Sequence, residues 1–360
     1  AATRAALEGG VSADLLRSQN RYMGSVLDGG TVNINAGMGY LITRTGSSID
    51  VSGATDSLNS ATSQGMGVGF PLQTLGSAGG SVSLVAREGM FLDGDYKAAG
   101  GANALGGTFA LRFTDALDKA DPWDLPPGTT TELTTEIKAA LRSQRVLSLY
   151  QSTGTRVDLW PSTVDAAKYL AGRATLDPVA FSGKAELDLA PLQSGGFGSW
   201  YLASQDAMKF SGTISATVNN QLRLDANSFS ATTDASRLTL KAAAAQIGSF
   251  SSSGVPAAAG IGSAEAVIQA RDIGLVGAFS WNGFGSSRFV SSGEIHFDSV
   301  NNSVARIPGG RLFYGQMNAS GNLELSAARL SPATYSDFRV DLLADPAGRI
   351  DITRPNGANA

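Results

Sequence analysis

A chain of 360 residues can form one large domain or two ordinary ones, and 42% hydrophobic residues are too many for a disordered chain. A net charge of −4 argues against binding nucleic acid by neutralising phosphates. The absence of cysteine excludes disulfides, thiolate metal sites and thiol nucleophiles, and a single histidine, His296, excludes a multi-histidine zinc site.

The chain divides by pattern into four stretches. Residues 1–29 read as an N-terminal flank or cap, with Leu7, Val11 and Leu15 at the spacing of a short helix. Residues 30–113 carry a recurring motif of two large apolar residues two positions apart, commonly followed by a smaller one. It appears as Val32-Asn-Ile34-Asn-Ala36, Val82-Ser-Leu84-Val-Ala86 and Phe109-Ala-Leu111-Arg-Phe113. Alternation at period two predicts strands with one buried face.

Residues 114–184 break the motif. Pro126-Pro-Gly128 stops the preceding run, Thr129 and Glu132 have capping-box spacing, and Leu133, Ile137 and Leu141 follow at helical spacing. This predicts an excursion bearing an amphipathic helix that packs on the side of the molecule.

Residues 185–360 resume the motif at Leu187-Asp-Leu189-Ala-Pro191, Ile214, Leu238-Thr-Leu240, Ile268, Ile295-His-Phe297, Leu323-Glu-Leu325 and Ile350-Asp-Ile352. Copies recur at roughly 27 residues, a period that a sandwich or barrel with turns every 8–12 residues does not produce. The fold predicted is all-β: a parallel β-helix whose coils each supply two or three short strands. Leu84, Leu111, Ile214, Leu240, Ile268, Phe297 and Leu325 are expected to stack inward in one column.

Particular words add to this pattern. Ser48-Ile-Asp-Val-Ser-Gly53, Gly79-Gly-Ser-Val-Ser-Leu-Val-Ala86, Leu92-Asp-Gly94 and Gly106-Gly-Thr-Phe-Ala-Leu111 follow one another. Gly195-Gly-Phe-Gly-Ser199, Phe210-Ser-Gly-Thr-Ile214, Leu222-Arg-Leu-Asp-Ala226 and Leu330-Ser-Pro-Ala-Thr334 come later. In order and spacing the chain resembles the large filamentous-haemagglutinin-like exoproteins of proteobacteria, over most of 30–113 and 181–342. The resemblance implies a right-handed parallel β-helix, export by two-partner secretion through an outer-membrane partner, and an adhesin-like role outside the cell or on its surface. The family's N-terminal secretion signature is not visible, so the chain is expected to be an interior β-helix segment of a longer protein.

Candidate chemistry is sparse. Asp93 and Asp95, two residues apart, would share a strand face as a glycosidase pair does, but acids beside a glycine corner are ordinary turn formers. Asp115, Asp118, Asp121 and Asp124 recur every three residues, without the glycine and carbonyl ligands of a calcium loop. Ile295 and Phe297 point inward by alternation, which turns His296 outward as a surface residue. The glycine-rich run Gly65-Met-Gly-Val-Gly69 reads as loop. The segment from Gly277 to Gly285 is the densest in aromatics. Core packing is the preferred reading there, with Trp281 and Phe284, together with Trp123 and Trp160, as the alternative contacts for a glycan or partner.

The expected function is a structural, adhesive shaft with no catalytic residue, no metal and no cofactor. Its expected partners are neighbouring coils of the same polypeptide or end-to-end copies, and host-cell or matrix glycans. The alternatives are a polysaccharide-active lyase or hydrolase and a fibre component that binds glycans without cleaving them.

Overall fold

A computed structural model describes residues 2–3, 24–37, 39–59, 62–64, 67–69, 71–114, 143–154, 182–250, 256–257, 259–307, 310–334, 336–342 and 347–355. The helix expected over 129–142, the Asp115–Asp124 run, Trp123 and Trp160 lie outside these residues, as does most of the 1–29 flank.

The chain is nearly all β, built on two long sheets of eleven and ten strands that are parallel except where Val300–Ile307 pairs antiparallel at the edge of the second. Alternation explains the strands. In Ser81–Ala86 the side chains of Val82, Leu84 and Ala86 are buried, and in Thr108–Phe113 those of Phe109, Leu111 and Phe113 are. These strands pair in register, so like stacks on like: Val82 on Phe109, Leu84 on Leu111, Ala86 on Phe113.

The first sheet has two limbs. Its early strands, Thr31–Asn35, Ser81–Ala86, Thr108–Phe113 and Ser199–Ser204, form one limb. From Thr213–Asp225 onward the strands lengthen and run through a corner, which shows as a register shift at Val218/Gln221 and again at Ala270/Asp272. Phe284–Asp298 accordingly pairs with two separate strands, Asn322–Ser326 and Arg329–Pro332.

This geometry corrects the single expected column. Leu84, Leu111 and Phe297 belong to a column on the first limb, continuous from Ile34 through Leu202, Leu224, Ile247 and Leu275 to Pro332. Leu240, Ile268 and Leu325 belong to a second column on the other limb, completed by Ala216, Phe289 and Ile352. Ile214 stacks on Leu238 one position away. The motif recurs on both limbs, and a sequence period alone does not separate them.

The second sheet departs from chain order. Val146–Tyr150 lies between Lys184–Asp188 and Ala207–Phe210, and Lys184–Asp188 pairs back onto Gly89–Leu92. The excursion of 114–184 therefore returns midway to insert a strand, so it is not wholly outside the sheets. Residues 249–263 do the opposite: Ser228–Ala231 pairs directly with Ala278–Asn282, and no described strand comes between. One strand gained and one skipped bring the two sheets back into step. Pro256 and Ala257 lie against the sheet, where Asn318 Nδ2 donates to their carbonyls at 3.0 Å and 3.1 Å.

The motif at Leu187-Asp-Leu189 also resolves differently from a strand. Asp188 ends the strand, accepts from the Ala190 N–H at 2.9 Å and caps a six-residue helix, Leu189–Ser194. Ala98 N–H donates to Gly195 O at 2.8 Å on one side of that helix, and Thr217 N–H donates to Gln193 Oε1 at 2.8 Å on the other. Gln151 Oε1 takes the Ser215 N–H at 2.6 Å. Two glutamine side chains thus satisfy donors on a strand flanked by helix rather than by another strand. Near the N-terminal end, Thr62–Gln64 pairs antiparallel with Gly67–Gly69, so the glycine-rich run read as loop contributes one arm of a hairpin.

Candidate functional site

The inward columns form one continuous apolar core, and no helix among the described residues is long and apolar enough to cross a membrane. Trp281 and Phe284 lie in this core with no exposed surface. Their rings stack at 4.8 Å and 22°, Phe289 and Phe229 pack against Trp281 at 5.5 Å each, and Trp281 Nε1–H donates to Ser287 Oγ at 2.9 Å. A ring enclosed in this way offers no face to a sugar, which corrects the contact reading of these two residues. The chain turns at Asn282-Gly283, with φ +75° at Gly283, and the strand position before this corner faces Trp281 inward.

Asp93 and Asp95 do not share a strand. Asp93 is buried at the corner leaving the second sheet, and Asp95 opens a short strand paired with Ser48–Asp50. Asp95 also lines a shallow, open depression with Ser152, Thr153, Gly154, Ala190, Pro191 and Ser194.

The outer face of the first limb changes character along its length. At the N-terminal end it shows Thr31, Asn33, Ser81, Ser83 and Thr108, with Ser81 Oγ donating to Thr31 Oγ1 at 3.0 Å. At the C-terminal end Asp272, Glu294 and Arg329 occupy successive positions of one register column. Gly274, His296 and Ser331 fill the next column, and Asp298 lies beyond. Here the sheet gathers charged groups that are scattered in sequence.

Each charge in this patch has a partner. Glu294 accepts from Arg329 and from Ser331 Oγ, and these bonds, Arg329 first, hold its carboxyl below the usual glutamate range. Asp272 pairs with Arg271 at 2.8 Å, and His296 Nε2 lies 3.2 Å from Asp298 Oδ2. The imidazole leans over Gly274, where an added Cβ would sit 2.6 Å from Nε2. Arg223 borders the patch, 3.5 Å from the Phe250 ring centroid and 3.3 Å from Asp225 Oδ2.

A general acid for glycoside hydrolysis needs a raised pKa, and the shift at Glu294 has the opposite sign. A fixed, ionised carboxylate on an open sheet suits non-covalent recognition of polar or cationic groups. His296 fits the outward position expected of it, with a third of its side chain exposed. Among the described residues no group of His, Asp and Glu is placed to hold a metal ion.

Sequence reasoning missed this patch because Asp272, Glu294 and Arg329 are neighbours only through parallel register. It also missed a buried ion network where the excursion leaves and rejoins the sheets. Arg145 Nη2 lies 3.6 Å from Glu88 Oε2, with the two side chains 2% and 8% exposed. Ser182 Oγ donates to Glu88 at 2.8 Å, Asp206 accepts the Arg145 N–H at 2.8 Å, and Arg87 Nε lies 3.3 Å from Glu88 Oε1. Comparison of the chain with protein-family profiles, with curated proteins and with solved structures finds no match in any of the three.

Proposed function

We propose that the chain is a right-handed parallel β-helix with coils of roughly 27 residues. In this reading it serves as a structural, adhesive shaft segment of a secreted or surface-exposed bacterial exoprotein of the filamentous-haemagglutinin-like kind. The shaft is non-catalytic, and its export uses an outer-membrane secretion partner. The observation that carries the reading is the inward column running in register from Ile34 to Pro332. A rigid stack of this kind holds outward side chains at fixed spacing along an axis, which is what a surface for polyvalent adhesion needs.

The adhesive surface in this reading is the charged patch around Glu294 and Arg329, and its partner is a host-cell or matrix glycan. The test is retention on glycan arrays and cultured cells. Asp272→Asn with Arg329→Gln should lower retention while Asn33→Ala with Ser83→Ala leaves it unchanged; equal retention by both variants overturns the assignment of the patch.

One observation favours a second reading, a polysaccharide-active enzyme. Asp272 and Glu294 sit on neighbouring parallel strands, where side chains in register lie about 4.8 Å apart, close to the ~5 Å separation of retaining glycosidase carboxylates. Release of reducing or unsaturated sugar ends from a polysaccharide panel, abolished by Glu294→Gln, would establish that reading against the shaft.

A further inference from the structure

The Asn282-Gly283 corner carries a chemistry that neither the inward columns nor the charged patch uses. Asparagine is a thermally labile residue, and it is most labile ahead of glycine, where no Cβ hinders the following amide nitrogen. The Gly283 nitrogen, once deprotonated by solvent base, can bond to Asn282 Cγ. The Cγ–Nδ2 bond then breaks, ammonia leaves, and water opens the resulting succinimide to aspartate or isoaspartate. Two conditions must be met: the Gly283 N–H has to be released, and the side-chain carbon has to swing onto that nitrogen.

The fold denies both. Gly283 N–H donates to Gly260 O at 2.9 Å, and Gly260 N–H donates back to Asn282 Oδ1 at 3.0 Å, a two-bond clasp. On the other side Asn282 Nδ2 donates to Ser228 Oγ at 2.8 Å and to Ser280 Oγ at 3.0 Å. Ser280 lies two positions back on the same strand, and Ser228 is its partner on the neighbouring one. These bonds draw the amide back along the strand, away from Gly283. Gly260 is held near in turn, because Asn318 Nδ2 takes the carbonyls of Pro256 and Ala257, and Asp234 Oδ1 accepts the Ser263 N–H at 2.9 Å. Asn282 itself is only half-buried, so its protection comes from these bonds and not from exclusion of water.

We infer that Asn282 is a latent modification site: the folded chain blocks its deamidation by hydrogen bonds, and it reacts with water once the Gly260 clasp or the serine pair is lost. The product matters at this position. Isoaspartate routes the main chain through Cβ and lengthens it by one carbon between Trp281 and Phe284, whose rings stack at 4.8 Å in the core. The inference stands whether or not the chain is an adhesive shaft.

The sequence supplies its own reference, since Asn356-Gly357 is the one other such dipeptide in the chain. The full chain is held at mildly alkaline pH, digested at intervals, and its peptides weighed for conversion of amide to acid. Conversion at Asn282 should be at least about tenfold slower in buffer than in urea, because it waits on local opening. Ser228→Ala with Ser280→Ala should raise the rate at Asn282 at least about tenfold in buffer, with the rate at Asn356 unchanged. Gly260→Pro tests the clasp separately. It removes the N–H that Asn282 accepts, at an exposed position where an added Cβ would meet no described atom within 4 Å, so the fold is kept even if the serine pair does not tolerate change. Equal conversion of Asn282 in buffer and urea overturns the inference. A variant that melts like wild type and converts Asn282 no faster overturns it too, and so does a rise at Asn282 and Asn356 alike.

Discussion

The N-terminal and C-terminal layers turn the same corner in two ways. Before the strands at Thr31, Ser81 and Thr108 the chain places Gly29-Gly30, Gly79-Gly80 and Gly106-Gly107. These corners stack backbone on backbone: a Cβ on Gly80 would lie 1.8 Å from Gly30 O, and one on Gly107 would lie 1.9 Å from Gly80 O. From Thr213–Asp225 onward the corner instead lies within continuous strands, at Asn219-Asn220, Ala243-Ala244 and Arg271-Asp272. A glycine corner has no side chains to vary. Once the strand runs through, the corner can carry charge, and the patch at Asp272 and Glu294 begins there. The bare glycine corner of one half and the charged patch of the other follow from the same local choice.

The joint between the two halves should be the easiest place to break the molecule. Glu88 is buried beside Arg87 and Arg145, and Glu88→Ala would leave cations in the interior without their carboxylate. Urea unfolding should show a loss of about 3–5 kcal/mol. Arg288→Ala, which opens an exposed pair with Glu324, should cost no more than about 1 kcal/mol. Equal costs would mean that the joint is not a distinct element.

The two corners predict the next largest contrast. Gly80→Ala forces a methyl into a carbonyl of the neighbouring layer, and overpacking of this kind costs about 1–3 kcal/mol or more. Ala243→Ser, at the matching exposed corner of the other half, should stay within about 0.5 kcal/mol of wild type. Denaturation midpoints of the two variants decide it, and a tolerated Gly80→Ala would show that close stacking is not what keeps the glycines.

Much of this was legible in the sequence, and the limits have physical causes. Val82, Leu84, Phe109 and Leu111 announce their strands by alternation, and parallel pairing follows from their recurrence. Two limbs carrying the same alternation cannot be told apart by period, and so Leu240 and Phe297, expected in one column, belong to two. The reversed order of Val146–Tyr150 and Lys184–Asp188 leaves no local trace, because either strand satisfies the same apolar positions. The aromatic segment was readable as core. The charged patch was not, since Glu294 and Arg329 meet only once register is known.

Acid should separate the halves without mutation. Glu294 and Glu324 both have carboxyls held below their usual range, led by hydrogen bonds from Arg329 and Arg288 respectively. Both bonds, with Thr353 Oγ1 donating to Glu324 at 3.0 Å, tie one layer to the next. A depressed folded pKa gives stability that is present above the unfolded value, near 4.3, and lost as pH falls through the folded one. Asp50 is lowered too, but first by the Ser52 hydrogen bonds within its own turn and only last by Lys97 on the next layer, so its protonation loosens less between layers. Between about pH 5 and 3, amides of Asn322–Ser326 should lose exchange protection before those of Ser81–Ala86. Simultaneous loss would show that these ties do not set the order of opening.

Glu186 should respond in the opposite sense, with the smallest effect. It lies on the outer side of the second sheet in register with Phe91, and burial, then the neighbouring Asp93, raises its carboxyl above the usual glutamate range, against a smaller lowering from Lys184. A raised folded pKa gives stability that is present below the unfolded value and lost as pH rises through the folded one. At neutral pH the ionised Glu186 therefore weakens the Lys184–Asp188 strand, with which the chain rejoins the sheet after the excursion. Glu186→Gln keeps the shape and removes the charge, so it should stabilise at pH 7, by about 0.5 kcal/mol, and the gain should vanish near pH 4 where the wild-type carboxyl is already protonated. Thermal melts of both proteins across that interval read the sign directly. A variant that is less stable at pH 7, or whose gain does not fade in acid, would mean that Glu186 holds the Lys184–Asp188 strand in place through its charge rather than despite it.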